Sequence, residues 1–170
     1  MSSKIEALKE RVLKLQEEGD IASMYLLEQE AHDTLQEKDL IAFYANILEL
    51  ALENLTNALE VAKRFKLDEV QDFATIRALY EYAIEHYSAG SLSDGAALFE
   101  ILEGLTEDKA FAKAMKIHQL SANDGLSFEE FLERIADIEA TQKAGTFYIS
   151  TFSDEARHLL NIAEVSEGVQ

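Results

Sequence analysis

The chain has no cysteine and no proline, and only seven of its 170 residues are glycine. Without cysteine, disulfides, thiolate metal sites and thiol nucleophiles are excluded, and a reducing compartment is compatible with the composition. Without proline, nothing removes a backbone donor inside a helix, so long helices can run uninterrupted. Basic residues are also scarce. Lys and Arg number 15 against 33 Asp and Glu, a formal net charge of −18. Such a field repels phosphate backbones and anionic lipid surfaces, so nucleic acid is not the expected partner. Basic ligands and basic partner faces are attracted instead, although the same charge also serves solubility alone. No run approaches the roughly 18 apolar residues that a membrane span needs. Met1 is followed by the charged, amphipathic SSKIEALKERV, which predicts no secretory signal.

What is present is a hydrophobic content of 48%, enough for a folded globule. The length fits one ordinary domain. Ile5, Leu8, Val12 and Leu15 share a helix face, with Ser2 or Ser3 to cap and Gly19 to stop. Asp20 can cap a second helix through Met24, Leu27, Ala31 and Leu35. Asp39 can cap a third that holds its face from Leu40 to Phe65, about seven turns. Phe43, Leu48, Leu52 and Leu59 widen that face, which predicts a central helix contacted on more than one side.

The centre of the chain, Ile76–Leu105, reads as a helical hairpin. Ile76, Leu79/Tyr80, Ala83 and Tyr87 align on one face, Gly90 stops the first arm, and Ser91 or Ser93 caps the second. The second arm carries Leu98/Phe99, Ile101/Leu102 and Leu105. Thr106 is the expected cap of the next helix, which carries Phe111, Ala114/Met115 and Ile117. Asn123-Asp124-Gly125 is a turn cluster. Ser127 with Glu130 has capping-box spacing and opens a helix through Phe131, Ile135 and Ile138. The run Thr146–Phe152 suits strand or helix; helix is expected, because a lone strand would lack a partner. A last helix follows from Ser153 to about Ala163, with fraying over Glu164–Gln170.

The run ALYEYAIEHYSAGSLSDGAALFEILEGL, residues 78–105, resembles the third and fourth helices of flagellin-export chaperones, the FliS family. ILELALENLTNALE, residues 47–60, resembles the helix before that family's break. The resemblance implies a cytoplasmic chaperone or co-chaperone of flagellar export that binds flagellin or its chaperone. A start without proline, and residues beyond about 110, fit an accessory relative better than the flagellin chaperone itself.

Little in the chain suggests catalysis. There is no Gly-x-Ser-x-Gly elbow, phosphate loop or dinucleotide fingerprint. Glu155 and His158 form a Glu-x-x-His pattern, which in di-iron bundles needs a second copy and two more glutamates. The nearest second copy has Gln29 before His32, with Glu28 four residues from that histidine. Glu155 and His158 are therefore an outside metal candidate, and no cofactor is expected. His86 and His118 lie beside apolar faces, where a core-edge role is the simpler reading. Tyr80, Tyr82, Tyr87 and Phe99 read first as core residues, yet tyrosine also suits recognition grooves. Tyr80 and Tyr82 lie about 200° apart around a helix, so one must reach an outer face. With Leu92 and Leu102, these four are the candidate partner-binding residues, Tyr82 foremost.

These readings predict an all-α antiparallel bundle of six to eight helices, built from successive hairpins. Residues 1–110 would form the core bundle of a single domain and 111–170 additional hairpins. The expected activity is non-enzymatic protein binding, by helix-in-groove contact. A tetratricopeptide-type secretion chaperone and a ferritin-like metal-binding bundle are the alternatives.

Overall fold

The computed structural model describes residues 2–168, with side chains from 3 to 163. Among these residues the fold is all-α, with ten helices and no strand; Ala136 and Phe152 form an isolated antiparallel bridge. None of the helices is long and apolar enough to cross a membrane. The chain packs as two compact units, Met1–Leu79 and Tyr80–Gln170. Residue 111, the expected start of the added hairpins, lies within the second.

In the first unit α1 (Ser2–Glu18) buries Leu8 and Val12 and ends at Gly19, whose φ of 70° is the left-handed turn expected of it. Asp20 then caps α2 (Ile21–Leu26), accepting from the Ser23 amide at 3.1 Å and the Ser23 hydroxyl at 2.7 Å. Gln71 holds the same turn, donating to Asp20 at 2.7 Å and accepting from the Ala22 amide at 3.1 Å. The single second helix expected through Leu35 is instead two. Leu27 adopts φ −86° and ψ −2°, and α3 (Glu28–Thr34) starts anew. The break lets Glu28 accept from Tyr44 at 2.6 Å and pair with Arg77 at 3.2 Å, tertiary contacts that outweigh local periodicity.

The long helix α4 spans Glu37–Val61, with Gln36 rather than Asp39 at its N-cap. Asp39 falls in the first turn and pairs with Lys9 at 3.2 Å. Phe43, Ile47, Leu50, Ala51, Leu55 and Ala58 face the core. The helix stops at Ala62 in the left-handed conformation, φ 53°, where Lys63 donates back to the Ala58 carbonyl at 2.9 Å. Phe65 is buried after it. Helix α5 (Val70–Ser88) follows and crosses the division between the units.

The second unit continues with α6 (Leu92–Leu105) and α7 (Lys109–Asn123), which pack along each other. Asp108, not Thr106, caps α7 through the Phe111 amide at 2.8 Å; the Thr106 hydroxyl is turned back to the Leu102 carbonyl at 3.0 Å. The capping box of Ser127 and Glu130 forms as expected and opens α8 (Phe128–Glu130). That helix widens into a π turn over Phe131–Ile135 before α9 (Ile138–Ala144). Helix α10 (Asp154–Gly168) packs on α7 and the π turn. It extends past the expected end near Ala163 and stays helical to Gly168, where fraying was expected over Glu164–Gln170; 169–170 lie outside the described residues.

The segment Thr146–Phe152 is not a helix. The Asp137 amide donates to the Thr151 carbonyl and the Ser153 amide to that of Ile135, each at 2.8 Å, so the strap does have a partner for its edge. The Thr141 hydroxyl accepts from the Ser150 and Thr151 amides at 3.3 and 3.2 Å, and the Tyr80 hydroxyl from the Ile149 amide at 3.0 Å. With the amides of Ile149, Ser150 and Thr151 met by side chains, these donors need no helical carbonyl.

Candidate functional site

The hairpin's aromatic face is the core of the second unit. Tyr80, Tyr87, Phe99 and Leu102 are all buried. The Tyr80 hydroxyl lies 2.8 Å from His118 Nε2, and His118 Nδ1 lies 2.6 Å from the Ala114 carbonyl. That carbonyl can only accept, so Nδ1 carries the hydrogen, Nε2 accepts from Tyr80, and Tyr80 accepts from Ile149. Burial pushes the His118 imidazole down to about 4, against the pull of the Ala114 carbonyl, and pushes the Tyr80 phenol up. Phe99 and Phe131 pack on the His118 ring, with centroids at 4.9 and 4.8 Å. Tyr87 donates to the Leu126 carbonyl at 2.9 Å. Gly95 passes so close that an added Cβ would sit 3.4 Å from the Tyr87 Cβ. Of the six candidate residues, only Leu92 and Tyr82 remain half-buried, and the Tyr82 ring lies edge-on to His86 at 4.6 Å.

Glu155 is engaged by Arg134, which donates to it through Nε at 3.1 Å and through Nη2. That guanidinium holds the Glu155 carboxyl below its usual range. His158 is exposed. Among the described residues no three His, Asp or Glu side chains converge where a metal ion could be held. At the other Glu-His pair, His32 lies 2.8 Å from the Tyr44 hydroxyl, which itself donates to Glu28.

A groove in the first unit went unnoticed in the sequence. Ala22, Tyr25 and Leu26 of α2 form one wall, and Val70, Phe73, Ala74 and Arg77 of α5 the other, with Leu67 and Asp68 at one end. Both sets have the three-and-four spacing of a single helix face. The groove encloses about 430 Å³. Leu26 is 83% exposed, Val70 68% and Phe73 40%, a concentration of open apolar surface unlike a solvated helix face. Its polar edge is set by Arg77, whose guanidinium lies 4.0 Å from the centre of the Tyr25 ring and reaches Glu28. The break at Leu27 leaves Leu26 outside. The available sequence signal was Val70, which lies about 100° around α5 from the face traced by Ile76, Tyr80 and Tyr87, whereas Phe73 continues that face.

Comparison with protein-family models, curated proteins and solved structures finds no match to this chain.

Proposed function

We propose that this chain is a non-enzymatic protein-binding chaperone or co-chaperone, which seats an apolar helical stripe of its partner between α2 and α5. The observation that carries the reading is the open groove lined by Tyr25, Leu26, Val70 and Phe73. Covering a side chain as exposed as Leu26 is worth about 1.5–3 kcal/mol, so a partner that buries it gains affinity. The flagellar assignment rests on the resemblance of residues 47–60 and 78–105 to flagellin-export chaperones. On that reading the protein is cytoplasmic and its partner is flagellin or the flagellin chaperone.

The test is to titrate both proteins against the wild type, Leu26→Asp and Tyr82→Ala by calorimetry, with folding checked by circular dichroism. Binding to one of them is expected, weakened at least about tenfold by Leu26→Asp. Weakening by Tyr82→Ala alone would move the contact to the outer side of the hairpin. No binding to either protein would remove the flagellar assignment.

A further inference from the structure

The strap between α9 and α10 is tied to a buried histidine through one hydroxyl. Tyr80 donates to His118 Nε2 at 2.8 Å and accepts from the Ile149 amide at 3.0 Å, so its oxygen links α7 to the strap. The tie to α9 is looser, because Thr141 shares one oxygen between the Ser150 and Thr151 amides at 3.3 and 3.2 Å. Backbone bonds hold the far end, where the Asp137 and Ser153 amides donate at 2.8 Å. At the near end stands Gly145, with φ 70°. Between these ends Phe147 and Tyr148 lie against Phe111, ring centroids at 5.7 and 4.9 Å, and both stay half-buried.

The hydrogens at the Tyr80 oxygen can be counted. With His118 neutral, the oxygen has its own hydrogen, aimed at Nε2, and receives one from Ile149. A proton on Nε2 turns that nitrogen into a second donor to the same oxygen, and the hydroxyl hydrogen then has no acceptor. Three hydrogens meet one buried oxygen, and the one left over costs its full desolvation. Tyr80 and His118 are set in the core by α5 and α7, 4% and 0% exposed. The Ile149 amide belongs to a half-buried loop, so it is the partner that can leave.

No charged side chain sets this titration; burial and the Ala114 carbonyl do. Tyr148 of the strap stands 6.3 Å from the Tyr80 ring, and both phenols stay neutral in acid. The charged groups of the surrounding elements lie outside. Glu81 and Glu85 on α5, Asp94 and Glu100 on α6, Glu133 and Arg134 on the π turn, and Asp154, Arg157 and His158 on α10 are exposed. Glu103 on α6 is half-buried, and Glu155 is engaged by Arg134.

We propose that the strap is a proton-operated flap: a proton taken up at His118 Nε2 displaces the Ile149 amide from Tyr80 and frees residues 146–150 from the aromatic core. The inference rests neither on the groove between α2 and α5 nor on the flagellar reading. Its sign follows from linkage. The closed strap holds His118 near 4, and an open one returns it toward 6.5, so opening takes up a proton. The open population therefore rises about tenfold for each pH unit that pH falls between those values.

The test is amide exchange by NMR on the whole chain at pH 6.5 and 5.5, corrected for the intrinsic rate at each pH. Opening at Ile149 and Ser150 should increase about tenfold at the lower pH, while the Asp137 and Ser153 amides, held by backbone carbonyls, do not follow. His118→Gln should flatten the response. Tyr80→Phe, which removes the acceptor, should speed exchange of Ile149 at least about tenfold already at pH 6.5. The wild-type series decides by itself where a variant does not fold. Corrected exchange at Ile149 independent of pH would overturn the proposal. So would Ile149 exchanging in step with the interior amides of α7, since His118 would then be reached by unfolding the whole unit. A response retained in folded His118→Gln would assign it to carboxylates, and unchanged exchange in folded Tyr80→Phe would break the link; either result overturns it.

Discussion

His118 has both ring nitrogens committed, one to the Ala114 carbonyl and one to Tyr80, inside a shell of Phe99, Phe131 and Phe152. Protonating it would add a hydrogen at Nε2, where the Tyr80 hydroxyl now donates, and bury an unpaired charge. The sign of the pH effect follows from the direction of the shift. The unfolded chain takes up this proton near 6.5 and the folded chain only near 4. Stability from neutral His118 is therefore complete above about pH 6.5 and lost progressively as pH falls toward 4, a change on the order of 3 kcal/mol. Urea unfolding of wild type and His118→Gln at pH 7 and pH 4.5 checks this, because the difference cancels the titration of the many surface carboxylates. The wild type's advantage should shrink at the lower pH; a difference independent of pH would contradict it. That the residue lies against the core was legible from its apolar neighbours in sequence, but the structure buries it completely rather than leaving it at an edge. Its pairing with Tyr80 was not, because the contact joins residues 38 positions apart.

At the scale of elements, local chemistry decided starts and stops where one residue sufficed. Gly19, Asp20, and the pair Ser127 with Glu130 act as the sequence suggests. Thr106 yielded to Asp108 through local bonds alone, its hydroxyl turning back to Leu102; elsewhere tertiary partners competed, as Leu27 broke a smooth periodicity and the strap 146–152 found side-chain acceptors for its amides. Helix α4 ends against its own preference, since Ala62 holds a left-handed conformation that an L side chain resists by roughly 1–2 kcal/mol. Glycine carries no such strain, although it loses more freedom on folding. Ala62→Gly should therefore raise stability by roughly 0.5–1 kcal/mol, read as a higher urea midpoint at unchanged slope. A lower midpoint would show that the alanine methyl is held by contacts outweighing its strain.

For the whole molecule, composition and period sufficed to give an all-α fold, because no proline interrupts helices and the apolar positions repeat every three or four residues. The candidate site was less legible. The hairpin's aromatics stood out by residue type, and that type suits a core as well as a groove; Tyr80, Tyr87 and Phe99 went inside. The groove depends on how α2 and α5 are brought together across residues 22 to 77, which no local pattern encodes. The net charge of the whole chain, −18, does follow from the composition, and it favours a partner of opposite charge. Amide hydrogen exchange of the chain, alone and with saturating flagellin chaperone or flagellin, tests the binding claim most directly. Added protection should concentrate in residues 21–27 and 67–77, with the buried interior of the second unit unchanged. Protection confined to other segments, or none with either protein, would contradict the assignment of that groove as the partner-binding site.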